Sequence, residues 1–136
     1  MEFLDTNVLV YAFDRTAGVK HERAATLLSD LWLARRGCIS IQVLQEFYVI
    51  CVRKIPAVKP EYLRTAVRDL SRWRVFAPTA EDVLEAIDLH RRYQISWWDA
   101  LIVHSASRSG CAVLWSEDLN AGQRFGSVQV QNSFAQ

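Results

Sequence analysis

The chain has 136 residues, of which 51% are hydrophobic and 23% charged, and its 16 basic and 15 acidic residues give a net charge of +1. This length and composition predict one packed domain over residues 1–136 and exclude a disordered chain. No apolar run reaches the ~18 residues of a membrane-spanning helix, and the acidic Glu2 makes the N-terminus a poor signal peptide, so we expect a cytoplasmic protein.

Short apolar segments alternate with longer segments that have helical periodicity. The predicted strands are residues 2–4, 38–41, 73–77, 111–115 and 128–130. The predicted helices are residues 7–13, 20–36, 42–54, 61–72, 79–93 and 97–109, and Gly37 is expected to end the second of them. This alternation predicts an α/β fold with a parallel, doubly wound sheet covered by helices on both faces. Such sheets bind ligands beyond the carboxyl ends of their strands.

Four acids fall near that edge of the predicted sheet. Asp5 follows the first strand, Asp118 follows the fourth, Glu46 lies one turn into the helix after the second, and Asp99 lies in the first turn of the helix that leads into the fourth. Carboxylates that converge repel one another, and a hard divalent cation such as Mg²⁺ or Mn²⁺ removes that repulsion. The pattern therefore predicts a metal site of a kind that promotes phosphodiester hydrolysis.

Each acid also has an ordinary structural interpretation. Asp5 could cap the following helix, Asp99 forms a near capping box with Ser96, Asp118 suits an Asx turn, and Glu46 could be a solvated helix position. Two details favour the metal site, because Glu46 is flanked by apolar residues and Asp99 lies within the apolar segment WWDALIV.

Cysteine and histidine usage argues against a soft-metal site. The cysteines are odd in number and form no C-x-x-C pair, and their apolar contexts predict buried free thiols for Cys38, Cys51 and Cys111. The three histidines lack the spacing of a zinc motif. We therefore expect any ion to be held by oxygen.

The segments FLDTNVLVYAFD, SWWDALIV and LWSEDLNAGQRF closely resemble PIN-domain proteins, and more narrowly the VapC-type toxins of bacterial toxin–antitoxin pairs. The resemblance covers essentially the whole chain. It implies a PIN-like three-layer α/β/α fold with a five-stranded parallel sheet of order 3-2-1-4-5, often as a homodimer. It also implies a Mg²⁺-dependent endoribonuclease that cleaves RNA and inhibits translation, and a small antitoxin protein that neutralises it.

The resemblance also assigns roles to individual residues. Asp5 and Asp99 match the principal Mg²⁺ ligands of the family, and Glu46 matches its second acid. Asp118 matches the fourth acid, in an S/T-x-D pattern that leaves Glu117 as a neighbouring alternative; the family pattern and the turn geometry favour Asp118. The supporting polar positions are Thr6, Asn7 and Ser116.

Contacts to RNA are expected from basic and aromatic residues. Arg15 and Lys20 follow the Asp5 helix and could border the site. Trp97 and Trp98 are adjacent on a helix, so they point about 100° apart, and one of them is a candidate for stacking on a base or lining an interface.

Other functions fit the sequence less well. A non-catalytic module that binds RNA or a partner protein would be expected to have lost part of the carboxylate set, whereas all four acids are present. A phosphatase of the haloacid dehalogenase type needs D-x-D where this chain has Asp5-Thr6-Asn7. A receiver domain needs a late lysine, and none follows Lys59.

Overall fold

The structure is a computed structural model that describes residues 1–135. Over these residues the helices are Thr6–Phe13 (α1), Val19–Ala34 (α2), Ile41–Lys54 (α3), Pro60–Leu70 (α4), Ala80–Tyr93 (α5) and Trp97–Arg108 (α6), with a short 3-10 helix at Arg15–Ala17. The strands are Glu2–Leu4 (β1), Gly37–Ser40 (β2), Arg74–Phe76 (β3), Val113–Trp115 (β4), Arg124–Phe125 (β5) and Val128–Gln131 (β6). The predicted α/β class is confirmed.

The sheet has six strands in the order β3-β2-β1-β4-β6-β5. The first five of these run parallel, in the predicted order, with β6 as the predicted fifth strand. The prediction of a five-stranded, fully parallel sheet was wrong at one edge, where the two-residue strand β5 pairs antiparallel with β6. Gly126 has a φ of 61° in the two-residue turn between them, a conformation that suits a tight hairpin.

The core lies between the sheet and its helices. All four residues of β2 are buried, as are Phe3 and Leu4 in β1 and Leu114 in β4. Burying a side chain of this size contributes about 1.5–3 kcal/mol, so the middle of the sheet is held firmly where the chain turns toward its ligand-binding edge. The predicted burial of the three free cysteines is confirmed.

Gly37 does not end α2, contrary to the prediction. The helix ends at Ala34, and its C-cap Arg35 adopts a left-handed conformation with a φ of 55° and donates its backbone N–H to the Leu31 and Trp32 carbonyls. Gly37 instead belongs to β2, where a Cβ would clash with the indole ring of Trp73. A glycine is needed here because the aromatic ring packs directly on the backbone.

The sheet order brings the ends of β1 and β4 together. These two strands are parallel neighbours, so both chains leave the sheet at the same edge. The backbone N–H of Asp5 donates to the Trp115 carbonyl at 3.0 Å, immediately before the segment Ser116–Asp118. No helix within residues 1–135 is both long and apolar enough to cross a membrane.

Candidate active site

Asp5 is a helix cap and a site residue at once. It precedes α1 with extended backbone angles, and its Oδ1 accepts a hydrogen bond from the Thr6 N–H at 2.7 Å. Its Oδ2 accepts from the Ser116 hydroxyl at 2.9 Å. The carboxyl group is only 6% exposed, so these two donors fix its position at the sheet edge.

Asp118 is fixed by the same two segments. The Ser116 hydroxyl accepts from the Asp118 N–H at 3.2 Å while donating to Asp5. Asn7, in the first turn of α1, donates from Nδ2 to Asp118 Oδ2 at 3.1 Å. The predicted supporting residues Asn7 and Ser116 therefore tie the turn after β4 to the start of α1.

Asp99 completes the group from the start of α6. Ser96 caps this helix by accepting from the Asp99 N–H at 3.1 Å. Within residues 1–135 the Asp99 carboxylate makes no return bond to Ser96, so the capping box is only half formed. Asp5, Asp99 and Asp118 each offer an oxygen atom, and these atoms lie within 4.8 Å of one another. We call these residues the three-acid site.

Burial and mutual repulsion make ionisation of the three-acid site unfavourable. Burial raises the pKa of Asp5 from 3.8 to about 7, against opposing hydrogen bonds from Ser116 and Thr6 and with help from the charges of Asp118 and Asp99. Burial also raises the pKa of Asp118, as do the charges of Asp99 and Glu117. A divalent cation fits here, because the donors are all carboxylate oxygens and such a charge relieves their repulsion.

Glu46 stands beside the three-acid site rather than within it. Its Oε1 accepts from the Thr6 hydroxyl at 2.9 Å and from Gln42 Nε2 at 3.2 Å. Thr6 follows Asp5 directly, so Glu46 is connected to the site through one side chain. The fold brings three of the four predicted acids together. The fourth, Glu46, is hydrogen-bonded to Thr6, the residue that follows Asp5.

Of the two predicted basic contacts, Lys20 lies beside the three-acid site and Arg15 lies beyond the end of α1. Lys20 Nζ forms an ion pair with Glu117 Oε2 at 2.8 Å, so its charge is already engaged. Arg15 is exposed beyond the far end of α1. That helix has eight residues, which correspond to about 12 Å, so the Arg15 backbone lies at the opposite end of α1 from Asp5.

A second cluster of ionisable groups joins α5 to α6. Asp82 lies at the start of α5, and its Oδ1 is 2.9 Å from His104 Nε2 and 3.5 Å from Arg108 Nε. Glu85 Oε2 lies 3.5 Å from the same His104 nitrogen. Asp82 Oδ2 accepts from the Thr79 N–H at 2.8 Å and completes a capping box at the start of this helix.

Three residues around the site were missed from the sequence. Gln42 precedes Glu46 by four residues on α3, a helical spacing that could have identified it. Tyr11 follows Asn7 by four residues on α1, and its hydroxyl donates to Glu117. Phe134 near the C-terminus packs on Tyr11 with ring centroids 5.2 Å apart, and no local pattern marks that long-range contact.

Comparisons with known proteins agree with this geometry. A family model described as PIN domain matches residues 3–124. A search of curated proteins finds no match. The structure is similar to a toxin–antitoxin complex from Klebsiella pneumoniae, with a TM-score of 0.70 and 17% identity over 94% of this chain and 95% of that one.

Two further solved structures have a TM-score of 0.66 and 20% identity. One is Mycobacterium tuberculosis VapC20, a toxin that cleaves the sarcin-ricin loop, matched over 84% of this chain and 87% of its own. The other is VapBC2 from Rickettsia felis bound to a DNA fragment from its promoter, matched over 96% and 97%. At these identities the solved structures are relatives in fold.

Proposed function

The chain belongs to the PIN-domain family, and from that premise we propose that it is a divalent-metal-dependent endoribonuclease that uses Mg²⁺ or Mn²⁺. The observation that carries the proposal is the approach of Asp5, Asp99 and Asp118 oxygens to within 4.8 Å of one another. Three carboxylates so close are costly without a cation, and hard oxygen donors select a hard ion that also binds phosphate.

The neighbouring side chains prepare the carboxylates for this role. Ser116 donates to Asp5 and so leaves the carboxylate oriented toward the other acids. Asn7 does the same for Asp118. A divalent ion held here supplies positive charge for the phosphodiester and favours ionisation of a water nucleophile. Thr6 and Gln42 hold Glu46 beside the site, where its carboxylate is positioned to accept a proton from water.

An RNA substrate is supported by the surface next to the acids. Trp98 is 60% exposed and precedes Asp99 directly, so its indole is available to stack on an unpaired base, a common mode of recognition for single-stranded RNA. Arg15 is a candidate for a more distant phosphate contact, because it is exposed and lines a cleft of about 770 Å³ together with Lys59 and Tyr62.

The biological setting belongs to the same proposal. Two of the similar structures are complexes of toxin with antitoxin, which supports a role as a VapC-type toxin that inhibits translation and is neutralised by an antitoxin protein. We further propose a cytoplasmic homodimer in which residues 1–136 form a single PIN domain. The neighbouring reading frame is informative, because a short gene for a DNA-binding antitoxin is expected there.

The direct test is cleavage of RNA by the purified chain. We expect endonucleolytic cuts in Mg²⁺ or Mn²⁺ and none in EDTA, measured by mapping RNA ends. Asp118→Asn, purified in parallel, controls for a contaminating nuclease and is expected to lose activity by about 100-fold or more.

The same experiment distinguishes the nuclease from the non-catalytic alternative. Cleavage that persists in EDTA would remove the metal from the mechanism. RNA binding without cleavage in any divalent ion would favour the non-catalytic module that binds RNA or a partner.

A further inference from the structure

Glu117 is a fourth carboxylate at the edge of the three-acid site, between Ser116 and Asp118 in the chain. Its negative charge is close enough to raise the pKa of Asp118. Nevertheless its oxygens are directed elsewhere, since Oε1 accepts from the Tyr11 hydroxyl at 2.9 Å and Oε2 accepts from Lys20 Nζ at 2.8 Å. Both oxygens are thus occupied by donors from α1 and α2.

Lys20 is itself held in place by aromatic rings. Its Nζ lies 5.0 Å from the centroid of the Tyr11 ring and 5.5 Å from that of Phe134. The two rings meet edge to face, and Arg23 Nη1 donates to the Ala135 carbonyl at 3.2 Å, which secures the segment that carries Phe134. The ammonium group therefore lies beside Glu117 in contact with Tyr11 of α1 and Phe134 of the C-terminal segment.

We propose that Lys20 and Tyr11 are positioning residues that hold the Glu117 carboxylate away from the three-acid site. This inference rests on the metal site of the proposed function. Mg²⁺ and Mn²⁺ work at phosphodiesters while keeping several waters, and an additional carboxylate would take one of those positions. Pairing Glu117 with a cation keeps that position open although the residue adjoins Asp118.

The arrangement distinguishes this role from two simpler ones. A lysine that served RNA directly would be expected to have a free ammonium group, whereas Lys20 is in an ion pair that is also contacted by Tyr11 and Phe134. A pair that only fastened the C-terminal segment would not need its acid next to Asp118. The three roles differ in what happens when Glu117 is neutralised together with Lys20.

The test compares Lys20→Met with the double variant Lys20→Met/Glu117→Gln in the full chain. Release of Glu117 in the single variant is expected to lower kcat on the order of tenfold, with RNA affinity retained. The relaxation of water protons by bound Mn²⁺ is also expected to fall, because it reports how many waters the ion keeps. Removing the Glu117 charge in the double variant should restore both quantities.

Controls separate charge and folding from positioning. Lys54→Met removes one lysine charge from the last turn of α3 and should change neither quantity, and melting temperatures establish that each variant is folded. A double variant no better than Lys20→Met, or unchanged Mn²⁺ relaxation in Lys20→Met, would overturn the inference alone. A wild-type chain that binds no Mn²⁺ would overturn the proposed function with it.

Discussion

Helices α5 and α6 begin with the same local pattern, but the aspartate in each pattern has a different role. Thr79 and Ser96 are the N-caps, and each is followed three residues later by an aspartate, Asp82 or Asp99. The Asp82 carboxylate accepts a hydrogen bond from the backbone N–H of its cap Thr79 and pairs with His104. Within the described residues the Asp99 carboxylate accepts no hydrogen bond from its cap Ser96. One of its oxygens instead lies near oxygens of Asp5 and Asp118.

The difference lies in how the charge is compensated. Asp82 has its own hydrogen-bond donors and a nearby arginine, and the Thr79 N–H followed by His104 lowers its pKa to about 2. The group around Asp99 contains three carboxylates, and burial raises the pKa of Asp5 to about 7. A cluster that is neutralised from within stabilises the fold, whereas carboxylates that lack such partners take up protons or are candidates for binding a cation.

The largest expected effect is a loss of RNA cleavage on substitution of Asp99, which substitution of Asp82 should not cause. Asp99→Asn should reduce RNA cleavage by about 100-fold or more, because it removes a carboxylate from the ion site. Its melting temperature without divalent ions should be unchanged or higher, since a repelling charge is lost. Cleavage rates measured in Mg²⁺, and thermal melts of the same preparation measured in EDTA, check this. A sharp fall in melting temperature would instead indicate that Asp99 serves mainly as a capping residue.

Divalent ions should stabilise the folded protein only by binding at the three-acid site. Mg²⁺ at 100 times its Kd is expected to add about 2.7 kcal/mol to the free energy of unfolding, seen as a higher melting temperature in the wild type and in Asp82→Asn but not in Asp99→Asn. The shift should be larger at pH 8 than at pH 6, because the ion must displace a proton from Asp5 below its pKa of about 7. Equal shifts in all three proteins would mean that the ion binds elsewhere.

Asp82→Asn should weaken the fold while sparing the chemistry. We expect a melting temperature lower by several degrees and cleavage unchanged per folded molecule. Since the folded pKa lies below the ordinary 3.8, the contribution of Asp82 is present above about pH 4 and is lost as the pH falls toward 2. The gap in stability between wild type and variant, followed by denaturant titration, should therefore close over that interval. A gap that persisted at pH 2 would exclude ionisation as its cause.

The smallest effect is expected at Arg108, the outer partner of Asp82. Its side chain is 59% exposed, and exposed ion pairs contribute about 0–1 kcal/mol. Arg108→Gln should therefore change the melting temperature far less than Asp82→Asn. A comparable loss from both variants would show that Arg108, rather than His104 and Thr79, provides most of the compensation.

The sequence predicted most of the fold because its signals were local and periodic. The helices and parallel strands lie within two residues of their predicted bounds, and parallel order places Asp5 and Asp118 at one edge. The two-residue strand β5 escaped prediction because so short a segment has no periodicity. The role of Gly37 was misread because the clash that requires a glycine comes from Trp73, far along the chain.

The sequence identified the acids and the supporting residues Thr6, Asn7 and Ser116, but not the other residues that bind Glu117 and Glu46. Residue type and position relative to the strands identified Asp99, although its pattern matched the purely structural one at Asp82. The choice between Asp118 and Glu117 depended on which of them Tyr11 and Lys20 would bind, and Lys20 itself was taken for an RNA contact. Such pairings are set by tertiary packing, so no local pattern could determine them.

Because Asp5 caps α1 through Oδ1 while Oδ2 is bound by Ser116, the start of a helix and the assembly of the candidate active site depend on one residue. The two cannot be altered separately at that position: any replacement perturbs the first turn of α1 as well as the site. An inert form intended for co-crystals with intact RNA is therefore better made at Asp99, whose carboxylate has no duty in its own helix.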